Sequence, residues 1–477
     1  MASDRRKSTG IITDPLFGES YPVTTPDVLD RPAAGGFSFT QDALRGIAAE
    51  VLGHASRLGA SSAETEVTEG LGQTVTVRRG EVETIEYNRD KGFGVTVYLG
   101  QKRGHASSTD FSRDALARTV EAALAIARYT ASDDCAGLAD RDLLATEMPD
   151  LDLHHPWRLS VEDAIELARS CEAAALAVDA RLTNSEGASA ATHQYQFAYA
   201  NSQGFVGGYP SSQHSIYCAV IGDGGQGMQR DDWYAVARDA RDLEDPVAVG
   251  QKAGQRCAAR LGARRVPTTQ VPVLFEAPIA ASLIGHFVGA VSGGSLYRKS
   301  SFLLDSVGQE VFAPIVQLRE RPFLKKGLRS AAFDDEGVAT HDREVVSNGV
   351  VGGYFLGSYS ARKLGLRSTG NAGGNHNLIL DSTGEDFPTL LAKLGTGLLV
   401  TDLLGHGVNS VTGDYSRGAA GFWVENGTLA YPVQEITVAG NLKEMFRGIA
   451  AIGTDVVIRG ARQCGSILVD RMTVAGE

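Results

Sequence analysis

Between residues 64 and 107 the chain keeps returning to one pattern, a short run of alternating apolar and polar residues closed by glycine or a polar turn. The runs fall at 64–67, 73–78, 82–87, 94–99 and 102–107. Val75 and Val77, then Val95, Val97 and Leu99, share one side of the alternation. Successive side chains on a strand point to opposite faces, so the pattern predicts an antiparallel sheet with one covered face and one polar face.

Helical signals flank these runs. Thr40 is an N-cap for a stripe of Leu44, Ile47, Val51 and Leu58 that ends at Gly59, and Ser112 opens a second stripe through Leu116, Val120, Ala123, Leu124 and Ala127. An acidic, proline-bearing connector over 131–156 follows. Its His154 and His155 read as surface residues, because adjacent histidines in an extended chain point apart and no carboxylate stands at ligand spacing. Ser160-Val161-Glu162-Asp163 is a capping box for a helix to about 178. Strands are expected at 181–185, 193–201, 204–206, 214–221 and 228–237. Gly222-Asp223-Gly224-Gly225 makes a hairpin loop, since neither a helix nor a suitably placed lysine follows it to cradle phosphate. A helical pattern over 243–261 ends this run. Residues 1–36, with Pro15, Pro22, Pro26 and Pro32 and no sustained period, read as a flexible arm.

The second half opens with an apolar strand at 271–275. Pro278 leads it into a helix of small and apolar residues that carries His286 and breaks at Ser292-Gly293-Gly294. Further strands are expected at 311–319, 344–347, 349–356, 397–403, 422–425, 427–431 and 434–439, with a short helix near 441–449. Asn348-Gly349 and Asn426-Gly427 favour type I′ hairpins. The class is therefore α+β in two domains: an arm over 1–36, an N-terminal helix and antiparallel-sheet domain over 37–240, and a β-rich domain over 241–477.

The helix around Leu283-Ile284-Gly285-His286-Phe287-Val288-Gly289-Ala290-Val291 looks like a metal-binding helix stripped of its metal chemistry. A zinc hydrolase needs two or three imidazole or thiolate ligands, an open coordination position and a base beside the bound water. The run from His286 through Ser295-Leu296-Tyr297-Arg298-Lys299-Ser300-Ser301-Phe302-Leu303-Leu304-Asp305 resembles the TldD/PmbA family, the modulators of DNA gyrase. So do Ser358-Tyr359-Ser360-Ala361-Arg362-Lys363-Leu364-Gly365-Leu366, Thr412-Gly413-Asp414-Tyr415-Ser416-Arg417-Gly418 and Ala439-Gly440-Asn441-Leu442. The likeness runs from about Thr40 onward and is strongest to the PmbA (TldE) branch.

That resemblance implies positions for a HExxxH segment and a distant cysteine that hold zinc in the catalytic branch. His286 falls on the first ligand, Phe287 on the glutamate, Val291 on the second histidine and Cys464 near the cysteine. Phe cannot take a proton and Val has no donor atom, so no zinc is expected in this chain. The resemblance places the metal in a TldD-like partner that carries HExxxH. It further implies a heterodimer with that partner, or a homodimer when alone, enclosing a lumen where unfolded peptides are cut. Peptide maturation and antitoxin degradation are the family's activities. On that reading the polar, glycine-rich segments around Arg362 and Lys363, Asn371 and His376, and Tyr415 and Arg417 contact peptide, although tight turns use the same residue types.

Charge narrows the partners. A formal net charge of -12 argues against a nucleic-acid surface, which needs clustered cations. Five cysteines, odd in number and never in a CxxC pair, fit a reducing compartment, and the absence of a long apolar run points to the cytoplasm. Two other classes remain open: a stand-alone hydrolase in which His286, His376, His406 and Cys464 converge, and an interaction protein that binds gyrase or an antitoxin without cleaving it.

Overall fold

The alternating runs fuse into strands much longer than the sequence suggested. The computed structural model describes residues 36–225 and 227–476, with the backbone of Gly10–Thr13 and Ser20–Val23. The arm expected over 1–36 otherwise lies outside the described residues, apart from the antiparallel pairing of those two short strands.

The first half is built on one antiparallel sheet, in the order Lys102–Ser108, Glu81–Leu99, Ser62–Arg78, Leu182–Asn201, Pro210–Asp223 and Met228–Ala237, with Val206–Gly207 beside Leu182–Asn201. The runs at 64–67 and 73–78 are one strand, as are those at 82–87 and 94–99, and those at 181–185 and 193–201. Glycines that read as turns lie inside these strands. At Gly72 a Cβ would stand 2.2 Å from His193 Nδ1, so the glycine is there to let a neighbouring imidazole cross. The true turn is Arg79-Gly80, both left-handed (φ 54° and 76°), as a two-residue hairpin requires. The Glu172 carboxylate accepts both of their N–H groups at 2.8 Å.

Four helices cover one face. Gln41–Arg57 and Arg113–Tyr129, capped by the Thr40 and Ser112 hydroxyls as expected, bury Leu44, Val51, Leu116 and Val120 against Val67 and Val95. At the other end, Val161–Leu176 and Pro246–Arg260 bury Ala168, Ala175, Val249 and Ala253 against Val77 and Ile216. The two helices touch closely, because Gly250 lacks a Cβ that would lie 1.9 Å from Cys171 O. The Pro246–Arg260 helix thus packs with the first half.

The second face is not a free polar surface. Tyr199, Phe205 and Phe333 form a buried cluster on it, with Phe205 and Phe333 ring centroids 5.1 Å apart, so the second half leans on this side. His154 and His155 are likewise half-buried and engaged rather than free on the surface. His154 Nε2 meets Gln194 Oε1 at 3.0 Å, and His155 lies between Asp152 and Asp239 at 3.1 and 3.4 Å.

In the second half, Thr269–Phe275 pairs in parallel with Gly397–Leu404 and antiparallel with Ile467–Ala475. These strands and Asp414–Glu425 and Thr428–Asn441 therefore close a ring, to which Ile449–Ile452 is added. A smaller sheet runs Val350–Val351, Arg343–Ser347, Leu318–Glu320, Leu378–Leu380 and Arg462–Gln463. Both Asn-Gly pairs turn hairpins, with φ of 49° and 79° at Asn348-Gly349 and 51° and 74° at Asn426-Gly427. The strand expected over 311–319 survives only as Leu318–Glu320, because Pro314 has no N–H to offer a ladder. That expected over 349–356 is Val350–Val351, and it stops before Gly352-Gly353. Three α-helices went unread, Gly293–Tyr297, Ser358–Lys363 and Phe387–Leu394. Among the described residues no helix is long and apolar enough to cross a membrane.

Candidate functional site

The helix Ala277–Ala290 leaves the end of Thr269–Phe275 with Pro278 in its first turn, where a missing N–H does no harm, and its Ala277 N–H is met by Ser466 Oγ at 3.0 Å. Ala280, Leu283, Ile284 and Phe287 recur at helical spacing and are buried in the main core. Phe287 is 0% exposed and meets the Phe312 ring edge-on at 5.0 Å. Val291, also 0% exposed, caps the helix and accepts the Phe355 N–H at 3.1 Å. Phe287 and Val291, which the resemblance places on a metal site, are thus structural core.

His286 lies off that stripe. Its ring meets Tyr415 edge-on at 5.9 Å, and its Nε2 is buried without a hydrogen-bond partner. Burial, then the positive charges of Arg417 and Arg462, hold its pKa below the usual imidazole value. The folded chain therefore holds this proton less readily than the unfolded chain does. Its contribution to stability is present above the usual imidazole value and is lost as pH falls below it. Cys464 is 1% exposed in the same core, and burial pushes its thiol up to about 12.

These residues do not fit a zinc site. Among the described residues no three of His, Cys, Asp or Glu gather closely enough to hold a metal. A dication at His286 would also face the charges of Arg417 and Arg462.

The other candidates separate into three places. Arg362 and Lys363 sit on the Ser358–Lys363 helix, not a loop, and tie it to the connector of the first half. Arg362 donates to the carbonyls of Cys135, Gly137 and Leu138 and to Asp140, and Lys363 donates to Asp133 at 2.9 Å. Hydrogen bonds from Tyr359 and Lys363 hold Asp133 at about 2. Asn371 and His376 belong to a buried carboxylate: Glu320 accepts Asn371 Nδ2 at 2.9 Å and the His376 N–H at 2.7 Å. Only Tyr415 and Arg417, on the strand Asp414–Glu425, stand with His286.

Two adjoining cavities lie where the halves meet. The larger, about 440 Å³, is lined by Gln213 from the first half and by Arg329, Gly374, Asn375, Arg459 and Arg462 from the second. The smaller, about 260 Å³, shares Arg329, Gly374 and Asn375 with it and adds Glu66, Tyr195 and Asp335. Burial raises the pKa of Glu66 and Asp335, and burial with the charge of Glu336 pushes Asp334, on the same wall, up to about 7. Sequence reasoning missed Arg459 and Arg462. The available signal was Arg459-Gly460-Ala461-Arg462, immediately before the cysteine that drew notice.

Residues 63–127, 154–261 and 268–476 match, in order, domain 1, the central domain and the C-terminal domain of the PmbA/TldA metallopeptidases. Metalloprotease PmbA of Escherichia coli O157:H7 is 50% identical over 415 residues, spanning 87% of this chain and 92% of that protein. A Haemophilus influenzae homologue of metalloprotease TldD is 22% identical over 398 residues, spanning 78% and 81%. Among solved structures, a candidate modulator of DNA gyrase from Bacteroides thetaiotaomicron superposes with a TM-score of 0.87 at 26% identity, over 92% of this chain and all (100%) of that one. TldE from Thermococcus kodakarensis shares the fold, with a TM-score of 0.80 at 18% identity over 90% and 100%.

Proposed function

This chain belongs to the PmbA/TldA metallopeptidase family, and from that premise we propose that it is the non-catalytic, TldE/PmbA-like subunit of a TldD/TldE-type zinc metalloprotease that cleaves unfolded peptides. The observation that carries the reading is the set of the Ala277–Ala290 helix. Phe287 and Val291 fill the core, and His286 turns toward two guanidinium groups. Hydrolysis at zinc needs a base beside the metal-bound water, and neither Phe nor Val can act as one. Metal and base then belong to a partner with a HExxxH helix, while this chain supplies a wall of the chamber. The glycine-lined cavities at the seam suit such a wall, since backbone without Cβ atoms admits an extended peptide closely. Five free cysteines fit a reducing, cytoplasmic setting.

The test is reconstitution. The chain, a HExxxH-bearing relative, and their mixture are each offered an unstructured fluorogenic peptide. Cleavage by the mixture above that of the relative alone, with none by this chain alone, is the expected outcome. Equal cleavage by this chain alone would overturn the reading in favour of a stand-alone hydrolase. No gain on mixing would favour an interaction protein instead.

A further inference from the structure

The chain carries a formal net charge of -12, yet three arginines share the larger cavity without an ion pair. Among the described residues, the guanidinium groups of Arg329, Arg459 and Arg462 make no hydrogen bond and no salt bridge. Arg459 Cζ lies over Trp233 and Tyr234 of the first half's sheet, 4.1 and 3.9 Å from their ring centroids. Arg462 runs across the Ala277–Ala290 helix at Gly285, where a Cβ would stand 2.7 Å from its Nη1. A glycine inside a helix weakens it, and here the missing side chain is what gives the guanidinium its path.

Arg459 Nε and Nη2 and Arg462 Nε are buried without a partner. Buried donors are almost always satisfied, and an unmet charged one is among the costliest features a fold can hold. The cavity that both arginines line is open at Gly374 and Gly460, where a Cβ would meet nothing within 4 Å. The planar forks of two arginines match a carboxylate in size and geometry. The adjoining cavity carries Glu66, Asp334 and Asp335, so a polyanion such as a nucleotide would set its remaining charges beside carboxylates. A peptide with one carboxylate at the arginine end meets no such opposition.

We propose that Arg459 and Arg462, with Arg329 at the rim, form a carboxylate site at the seam of the two halves that takes the terminal carboxylate or an acidic side chain of a peptide. The proposal rests on the peptide-handling reading above and names the chemical group that this wall selects.

The experiment measures binding of acetylated, alanine-rich hexapeptides to the full chain by Trp fluorescence, Trp233 lying under Arg459. Three probes are compared: the free C-terminal acid, its C-terminal amide, and the amide with one internal aspartate. Inorganic phosphate is titrated alongside. A charge-assisted pair predicts binding of the acid about tenfold tighter than the amide. If the aspartate-containing amide binds like the acid, the site takes a carboxylate from either source; if like the plain amide, it takes the terminus alone.

Arg462→Met is expected to abolish the preference for acid while melting no lower than the unaltered chain, because the lost cation had no partner. Equal binding of acid and amide by the unaltered chain would overturn the site, as would phosphate binding with no acid preference, or a preference that survives Arg462→Met together with Arg459→Met. The unaltered comparison needs no variant to fold. Cleavage on mixing with equal acid and amide binding would remove this site and leave the proposed function standing. Acid preference without cleavage on mixing would do the reverse.

Discussion

Phe287→Glu is expected to unfold the second half and not to restore a hydrolase. The resemblance puts the base of a HExxxH helix at this position, but Phe287 is 0% exposed and meets the stacked rings of Phe312 and Phe446 edge-on, at 5.0 and 6.4 Å between ring centroids. Losing a buried Phe costs about 3–5 kcal/mol. A carboxylate left in its place adds a desolvation penalty of several kcal/mol unless it takes up a proton. The sum approaches the whole stability of a domain. Thermal melting should show a second half that unfolds well below the first or is never folded, and adding Val291→His should make it worse, since that site is also 0% exposed. A variant that melts within a few degrees of the unaltered chain would contradict the placement of this residue in the core.

The second large effect belongs to Glu320, which is 1% exposed on the Leu318–Glu320 strand. Its carboxylate accepts Arg343 Nε at 2.7 Å, Asn371 Nδ2 at 2.9 Å and the His376 N–H at 2.7 Å. Removing one partner of a buried charged network costs about 3–5 kcal/mol, because the donors left behind keep their desolvation penalty. Glu320→Ala should lower stability in chemical denaturation by that amount and speed amide exchange over 368–377, the segment that walls both cavities. Glu320→Gln, which keeps one acceptor oxygen, should lose less. A loss below about 1 kcal/mol for Glu320→Ala would mean that the hydrogen bonds described contribute as little as exposed ones do.

The parts of this fold legible in sequence were those fixed by local chemistry. Thr40, Ser112 and Ser160 cap the helices they were expected to cap, and Asn348-Gly349 and Asn426-Gly427 turn hairpins. Strand lengths were not legible, because glycine serves both as a turn and as a gap for a crossing side chain, as Gly72 does for His193. The closure of Thr269–Phe275 against Ile467–Ala475 joins the two ends of the half and has no local signal at all. At the site, residue types showed what His286, Phe287 and Val291 lack, whereas only the packing shows that Phe287 fills a core. Arg362 and Lys363 read as donors awaiting a ligand, and in the fold they hold residues 133–140 of the other half. Arg459 and Arg462 escaped notice for the opposite reason: an arginine in sequence gives no hint that its fork will be left unpaired.

The most direct test of the central claim is the zinc content of the purified chain, by elemental analysis after dialysis against a trace of the metal. With Phe287 and Val291 in the core and His286 facing Arg417 and Arg462, the expected value is near zero. A value near one zinc per chain would contradict the account, because His286 or Cys464 would then have ligand partners that this arrangement does not provide.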